Sequence, residues 1–352
     1  MKKIFACILA ALTASCMLTA CTNNNAVSEN GSLTDSTNNT QVGVEETANT
    51  DNTADEALKI GVIQYVSHPS LDNCYTGVAE ALSADQNITI DRQIGSDASA
   101  DSDCATYAAN MVSQKYDMII AIATPAAASA FAATDGTDIP VIFCAVSDPV
   151  AAELVESMEK PGYACTGTSD VLDLEAQVNL IQSMQPDVKS IGILYTTSEA
   201  NSISNLERFK EICAERNIEV VATGIQNDAD IPAAAAALSA KVDCINNFTD
   251  NKVVNNLTVV LEAANDAGIP VYGSEVEQVK NGCLAAVSID YVALGKVTGD
   301  MALEVLGGED PANMAVKTIT DATPVINTEV LSALGMTLPE SYSDAETVTT
   351  NK

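Results

Sequence analysis

The chain has 352 residues, 47% hydrophobic and 18% charged, enough for two folded domains at about 100–200 residues each. A formal net charge of -32 repels phosphate, which argues against a nucleic-acid partner and against charge-driven binding to anionic lipid. A single histidine, His68, and ten cysteines without a CxxC pair disfavour metal and redox motifs. No GxSxG elbow accompanies His68, so we expect no catalytic residues and no metal ligands.

The first 20 residues have the layout of a bacterial secretory signal peptide, with a basic start, the apolar run 4–14 and a small-residue site. The apolar run is too short to remain as a transmembrane helix. The sequence Leu-Thr-Ala-Cys at 18–21 resembles the lipobox of bacterial lipoproteins. We therefore predict that Cys21 is lipidated with acyl chains such as palmitate and becomes the first residue of the mature chain. The alternative is an ordinary signal peptide with a coincidental cysteine.

The segment after Cys21 is rich in Asn and Thr and contains acids but no aromatic residue, Lys or Arg up to residue 57. Such a composition cannot bury enough apolar surface to offset the entropy of ordering. We predict that 21–57 is a lipidated, disordered tether that holds the folded part at the outer face of the bacterial cytoplasmic membrane or in the periplasm. Membrane contact is then expected through the lipid anchor only.

From residue 58 onward, short apolar runs alternate with helix-length amphipathic stretches, which is typical of βαβ units around parallel sheets. Gly, Pro, Asp or Asn bound these runs, as expected of buried parallel strands. The predicted strands are Leu58–Ile63, Ile88–Ile94, Met118–Ala123, Val141–Cys144, Ala164–Thr168, Ser190–Tyr195, Glu219–Gly224, Cys244–Asn247, Pro270–Gly273 and Leu284–Ser288. Helices are expected between them, and one carries the Ala-rich run 233–237.

The two halves of this region repeat one another. The sequence at 59–63 matches that at 190–195, 116–121 matches 242–247, and 138–143 matches 268–273. We predict an α/β fold of two similar doubly wound parallel-sheet domains, with a hinge and a ligand cleft where the carboxyl ends of their strands face each other. The expected first lobe is 58–168 plus about 285–310, the second is 169–284 plus about 311–338, and 339–352 is a tail.

Polar and aromatic residues concentrate directly after the predicted strands, and none of these loops has a phosphate-binding glycine motif. The informative segments are IQYVSHPSLD at 63–72, IATPAA at 122–127, VSDPV at 146–150, TGTSD at 166–170, YTTSEANS at 195–202 and TDN at 249–251. In this order they resemble solute-binding lipoproteins of ABC uptake systems related to the tryptophan-binding subunit. The resemblance spans about residues 58 to 338.

That resemblance implies a type I periplasmic-binding fold, with no enzymatic activity and no cofactor. It also implies capture of a small solute, often an aromatic amino acid, and delivery to an ABC permease; we expect a monomer. The same fold binding a nucleoside or a sugar, or acting as a ligand-sensing surface receptor, stays an alternative. The candidate ligand-binding residues are Gln64, Tyr65, His68, Thr124, Pro125, Ala126, Ser147, Asp148, Asp170, Tyr195, Ser198, Asn201, Thr249, Asp250 and Glu275.

The residue types suit an amino-acid ligand. Thr124 and Pro125 are expected to begin a helix whose free N–H groups attract a carboxylate, with Ser198 and Asn201 completing the site from the second half. Thr124 could instead serve only as a helix cap.

An ammonium group needs an anion, and Asp250 is the first candidate, ahead of Asp148 and Asp170; each could instead be a cap or turn residue. Tyr65 and Tyr195 end the first strands of the two halves and are candidates for stacking on the ligand. His68 is expected to bind ligand or to be structural. The seven other mature cysteines are predicted to be mostly packed free thiols.

Overall fold

The computed structural model describes residues 57–351. The predicted signal peptide, Cys21 and the tether up to residue 56 lie outside the described residues. The strands are β1 (Leu58–Gln64), β2 (Ile88–Ile94), β3 (Met118–Ile122), β4 (Val141–Cys144), β5 (Cys165–Ser169), β6 (Ser190–Thr196), β7 (Glu219–Ile225), β8 (Cys244–Asn246), β9 (Val271–Tyr272), β10 (Ala285–Ser288), β11 (Lys317–Thr318), β12 (Thr323–Asn327) and β13 (Glu346–Val348). The α-helices are α1 (Pro69–Leu82), α2 (Ala100–Ser113), α3 (Thr124–Thr134), α4 (Leu174–Met184), α5 (Ala200–Glu215), α6 (Ile231–Ser239), α7 (Asn251–Asn255), α8 (Leu257–Ala267), α9 (Val276–Lys280), α10 (Tyr291–Leu306) and α11 (Thr328–Ala333).

The first lobe is built on a six-stranded parallel sheet with the order β11-β5-β4-β3-β1-β2. Its central strands β3 and β4 are buried at every position, as parallel strands covered on both faces should be. Helices α1 and α10 cross very closely. A Cβ at Gly77 would lie 2.0 Å from the Val292 carbonyl oxygen, and one at Gly295 would lie 2.0 Å from that of Cys74. Only glycine permits this crossing.

The second lobe contains a parallel sheet with the order β7-β6-β8-β9, which repeats the β2-β1-β3-β4 order of the first lobe. Backbone hydrogen bonds from Gly273 N to Ala285 O (2.9 Å) and from Leu284 N to Val271 O (2.7 Å) link β9 to β10. Strand β10 pairs antiparallel with β12, and β12 pairs parallel with β13. The predicted architecture of two similar parallel-sheet α/β domains is therefore confirmed.

The chain passes between the lobes at 170–173, at 289–290 and at 319–322, and the described residues fall within one compact unit. The lobe boundaries differ from those expected from the sequence. Strand β10 belongs to the second lobe and β11 to the first, and β13 joins the second lobe's sheet from within the expected tail. None of the helices in the described part is long and apolar enough to cross a bilayer.

The cysteines of the described part are buried and free: Cys74, Cys104, Cys144, Cys165, Cys213, Cys244 and Cys283. This confirms the expectation of packed thiols for that part of the chain. Within residues 57–351, no group of three or more His, Cys, Asp or Glu side chains is arranged to hold a metal ion.

Candidate functional site

A cavity lies between the lobes, at the carboxyl ends of their strands. Both lobes supply its walls, as the carboxyl-end rule for open parallel sheets predicts. The lining residues are His68, Ser70, Leu71, Ala123, Thr124, Ala145, Ser147, Asp170, Asn201, Thr249, Asn251, Val254, Glu275, Gln278 and Tyr291.

The N-terminus of α3 opens onto this cavity. Ala123, which precedes the helix, and Thr124, its first residue, both line the wall. The first N–H groups of a helix lack intrahelical partners, and together with the helix dipole they attract anions. Ala123 has φ 82° and the neighbouring Ala145 has φ 56°, and such backbone strain in non-glycine residues is concentrated at functional sites. The arrangement suits a carboxylate.

Asp170 is the first of two carboxyl groups in the cavity. Its Oδ1 accepts a 2.9 Å hydrogen bond from Ser147 Oγ and its Oδ2 a 3.0 Å bond from Tyr291 Oη. Only 4% of Asp170 is exposed, and this burial raises the pKa of its carboxyl group. The hydroxyl donors and a cationic ligand group would both favour the ionised form.

Glu275 is the second carboxyl group and comes from the second lobe. It caps α9, because its Oε2 and Oε1 accept the backbone N–H groups of Glu277 (2.6 Å) and Gln278 (2.8 Å). Burial raises the pKa of Glu275 to about 7, while the neighbouring Ser70 side chain acts in the opposite direction.

Among the described residues, no Lys or Arg side chain lines the cavity. The one basic side chain in the described part of the wall is His68. Burial lowers the pKa of its imidazole to about 4, so it is neutral near pH 7. Two buried carboxyl groups without a basic partner are costly to ionise, as their raised pKa values indicate, and a cationic ligand group would stabilise their ionised forms. The cavity therefore favours a ligand that carries a cationic group.

Two asparagines of the second lobe complete the wall and are held from behind by Glu199. The Glu199 Oε2 atom accepts hydrogen bonds from Asn251 N (3.1 Å), Asn251 Nδ2 (2.7 Å) and Asn201 Nδ2 (3.3 Å). Asn201 Nδ2 also donates to the Thr249 carbonyl oxygen at 3.2 Å, whereas the buried Oδ1 of Asn201 has no partner. That oxygen is available to accept a hydrogen bond from a ligand.

Several polar contacts cross between the lobes, so the described arrangement is a closed one. Ser147 Oγ lies 3.4 Å from Thr249 Oγ1. Asn255 Nδ2 donates to Asp97 Oδ1 at 2.8 Å. In this closed arrangement both lobes contribute walls to the cavity, and a ligand bound there is enclosed between them.

The structure brings seven of the sequence-predicted residues to the cavity: His68, Thr124, Ser147, Asp170, Asn201, Thr249 and Glu275. Among the others, Pro125 and Ala126 lie in the first turn of α3 and do not line the wall, and Ser198 is exposed. Tyr195 packs beside Gly224 in the second lobe. Gln64 bonds to Asp72 (3.0 Å) and accepts a bond from Arg92 (2.5 Å).

Two further predicted residues take part in contacts between the lobes instead of lining the cavity. The Asp148 side chain accepts a hydrogen bond from Ser204 of the second lobe. The Tyr65 hydroxyl accepts one from Lys252 Nζ at 2.7 Å. Neither residue appears in the cavity wall, so the stacking role expected for Tyr65 is not supported by its position.

Asp250 is fully buried but does not line the cavity. Its carboxylate accepts hydrogen bonds from Thr196 N (2.6 Å), Thr196 Oγ1 (2.8 Å), Ser202 Oγ (2.6 Å) and Val253 N (3.1 Å). With both oxygens engaged inside the second lobe, it ties β6, α5 and α7 together. The geometry favours the capping alternative over the ammonium-binding role that the sequence suggested first.

Sequence reasoning did not single out several lining residues: Ser70, Leu71, Ala123, Ala145, Asn251, Val254, Gln278 and Tyr291. Asn251 lies in the TDN segment that carried the family resemblance, and Ser70 and Leu71 lie in the first such segment. No sequence motif marks Tyr291, because its place in the cavity wall depends on the second crossing of the chain between the lobes.

The fold and the cavity define a periplasmic-binding type of receptor, in which two α/β lobes enclose a small molecule. The chain belongs to the ABC transporter substrate binding protein family, whose sequence model matches residues 59–349. Proteins of this family act outside the cytoplasm and bind substrates rather than convert them.

One curated relative is a tyrosine-binding protein of Clostridioides difficile (strain R20291), which is 37% identical over 346 residues covering 95% of this chain and 93% of that protein. A solved ABC domain from Streptococcus pneumonia in complex with L-Trp is 35% identical and has a TM-score of 0.79. The match covers 83% of this chain and 99% of that one. The ligand-free, open structure of a substrate-binding protein with adhesive properties from Clostridium difficile is 37% identical but has a TM-score of only 0.63, covering 84% of this chain and 100% of that one. The better fit to the complex agrees with the contacts between the lobes described above.

Proposed function

We propose that the protein is the solute-binding component of an ABC uptake system and captures an aromatic amino acid for delivery to a permease. The observation that carries the proposal is a closed cavity with a helix N-terminus for a carboxylate and a buried, hydroxyl-bonded Asp170 for an ammonium group. The ligands of two similar proteins, tyrosine and tryptophan, support the aromatic class.

In this proposal the ligand carboxylate lies against the first turn of α3, near Ala123 and Thr124. The ammonium group meets Asp170, and the unpaired Oδ1 of Asn201 is a further acceptor for it. Leu71 and Val254, one from each lobe, supply apolar surface for the side chain. The aromatic ring thus meets aliphatic walls, not the two tyrosines that the sequence suggested.

Closure of the two lobes follows from the way the ligand's contacts are shared between them. A ligand that touches α3 and Asp170 in the first lobe and Asn201 in the second makes all of its contacts only when the lobes are shut. Its binding therefore shifts the population towards the closed form, which is the form a permease would recognise. Lipidation of Cys21 would keep this receptor at the outer face of the membrane.

The proposal is tested with the detergent-solubilised, ligand-stripped protein in a thermal-shift panel followed by titration calorimetry. L-Tyr, L-Trp and L-Phe are compared with uridine, ribose and myo-inositol. A ligand that binds only the folded state raises the melting temperature in proportion to RT ln(1 + [L]/Kd). We expect at least one aromatic amino acid to raise it, and the tyrosine amide and N-acetyltyrosine, which each lack one charge, to have much less effect. A response to uridine or a sugar alone would refute the ligand class.

A further inference from the structure

Ser70 of the first lobe and Glu275 of the second both line the cavity and lie beside each other, and neither is used by the binding scheme above. Ser70 is 3% exposed and Glu275 is 2% exposed. The Ser70 Oγ atom has no hydrogen-bond partner within 3.5 Å among the described residues, but it lies beside the Glu275 carboxyl group and lowers the pKa of that group. A buried hydroxyl without a partner is rare, since it costs free energy unless something pairs with it.

Glu275 also has unused capacity. Each of its carboxylate oxygens accepts one backbone N–H from α9, and a carboxylate oxygen can accept two hydrogen bonds. One lone pair on each oxygen is therefore left for another donor.

The charges in the cavity point in the same direction. An amino acid carries one ammonium group, and Asp170 with its two hydroxyl donors accounts for that group in the proposed function. The cavity then holds a second carboxyl group, and no Lys or Arg of residues 57–351 lines the wall beside it. A carboxyl group buried without a cation beside it is stabilised by each further hydrogen-bond donor, and a ligand bound in the cavity can supply one.

We infer that Glu275 and Ser70 form a specificity subsite that recognises a hydrogen-bond donor on the ligand's aromatic ring, the phenol O–H of tyrosine or the indole N–H of tryptophan. This inference rests on the proposed function and narrows it to aromatic amino acids with a ring donor. Glu275 accepts the hydrogen bond, and the Ser70 hydroxyl pairs with the phenol oxygen or with the carboxylate. Phenylalanine, which has no ring donor, would leave the Ser70 hydroxyl and the remaining lone pairs of Glu275 without a ligand partner inside a closed cavity.

The expected selectivity follows from that unpaired state. Leaving a buried polar group without its partner weakens binding by roughly 5- to 150-fold, and sites built to bond a substrate hydroxyl discriminate strongly against the analogue that lacks it. We expect the Kd of L-Phe to exceed that of the better of L-Tyr and L-Trp by at least about tenfold.

The test is titration calorimetry of the solubilised protein with L-Tyr, L-Trp, L-Phe and O-methyl-L-tyrosine, using wild type, Glu275→Gln and Ser70→Ala. In wild type, O-methyl-L-tyrosine should bind at least about tenfold more weakly than L-Tyr if L-Tyr is the better ligand. In Glu275→Gln the Kd of L-Phe should lie within about threefold of the Kd of the ligand with the ring donor. Most of this change should come from weaker binding of the ligand with the ring donor. Ser70→Ala should reduce the preference in the same direction by a smaller factor.

Two controls match these variants. Ser239→Ala removes another buried hydroxyl without a partner, at the end of α6 and away from the cavity. Glu277→Gln changes a carboxylate on the same short helix, α9, that does not line the cavity. Both should keep the wild-type preference.

The outcomes separate this inference from the proposed function. If no aromatic amino acid binds wild type, the proposed function fails. If they bind but L-Phe equals the better ligand, or if folded Glu275→Gln and Ser70→Ala both keep the wild-type ratio, the subsite is refuted while the function stands. An equal loss for all ligands in Glu275→Gln would assign Glu275 to the ammonium group and also overturn the inference. Should Glu275→Gln fail to fold, Ser70→Ala and the wild-type ligand series decide.

Discussion

The Nζ atom of Lys252 in α7 donates a 2.7 Å hydrogen bond to the hydroxyl oxygen of Tyr65, which directly follows β1 in the other lobe. The Tyr65 hydroxyl in turn donates to Asp101 Oδ1 at 2.8 Å, and Lys252 Nζ lies 3.6 Å from Asp101 Oδ2. The Lys252 side chain is only 14% exposed. This set of contacts links the lobes without lining the cavity, so it acts on closure and not on ligand contact.

Lys252→Met should therefore weaken ligand binding although Lys252 does not line the cavity. Met keeps much of the apolar stem and removes the charge. Loss of a charged hydrogen bond of about 1.5–3 kcal/mol corresponds to roughly a 10- to 150-fold higher Kd at most, and we expect it mainly as faster dissociation. Stopped-flow dissociation of the best ligand measures this. Lys296→Met, which breaks an ion pair with Glu80 within the first lobe (2.7 Å), should leave the dissociation rate unchanged; equal rates in the two variants would contradict the role given to Lys252.

Asp170→Asn is expected to cause the largest loss of affinity among single carboxylate changes. The amide keeps the shape but removes the charge that faces the ligand ammonium, and truncating one member of a buried charged pair typically costs about 2–5 kcal/mol. That corresponds to roughly a 30-fold to several-thousand-fold rise in Kd by calorimetry. Asp173→Asn changes the exposed cap of α4 nearby and serves as the control. A Kd within threefold of wild type for folded Asp170→Asn would rule out this partner for the ammonium group.

Asp250→Asn should affect stability more than binding. An asparagine can still cap α7, but its single acceptor oxygen cannot replace two carboxylate oxygens that bond Thr196, Ser202 and Val253. We expect the free energy of unfolding to fall by about 1–3 kcal/mol, measured by urea denaturation followed by circular dichroism. A larger effect on Kd than that of Asp170→Asn, with stability unchanged, would restore Asp250 as the ammonium partner.

The sequence predicts a strand best where a single physical rule, burial on both faces, determines its composition. Strands such as β3 and β4 are buried on both faces, so each is a continuous apolar run that can be recognised without its neighbours. Strands β11, β12 and β13 were not predicted. Strands β11 and β13 are two and three residues long and largely exposed, and only the last three residues of β12 are buried. Their pairing depends on the neighbouring strands and not on their own composition.

The site was predictable in position but not in the direction of each side chain. Asp170 and Asp250 each follow a strand, and this position in the sequence places both of them near the cleft. The hydrogen-bond donors around each carboxylate determine which of the two lines the cavity. Tyr291 could not be found from sequence, since its hydroxyl meets Asp170 across 121 positions of the chain. Such a contact depends on how the chain crosses between the lobes.

Cys21→Ser tests the proposed anchor in the native host. The serine variant cannot form the thioether, so we expect an uncleaved or released form in place of the lipidated one. Phase partitioning with detergent and mass spectrometry of the mature N-terminus measure the change. Cys16→Ser, which alters the other nearby cysteine of the apolar leader, is the control and should be processed normally. Unchanged membrane fractionation and processing of Cys21→Ser would contradict lipidation at this residue.

Glu199 should make the stability of the protein depend on pH in a direction opposite to that of most acids. Burial and the neighbouring Asp250 carboxylate raise its pKa from 4.5 to about 8. Between these values the unfolded chain has released this proton and the folded chain still holds it, so the Glu199 contribution to the free energy of unfolding falls as pH rises from about 4.5 to about 8.

Glu199→Gln removes this titration while keeping a hydrogen-bonding side chain behind Asn201 and Asn251. We expect its free energy of unfolding, measured by urea denaturation at several pH values between about 4.5 and 8, to fall less steeply than that of wild type. The comparison must be made between the two proteins, because burial also raises the pKa of Asp170 and Glu275, which adds a slope common to both. Glu211→Gln, on the exposed face of α5, should follow the wild-type curve. Parallel curves for wild type and Glu199→Gln would show that Glu199 is already ionised in the folded protein at low pH.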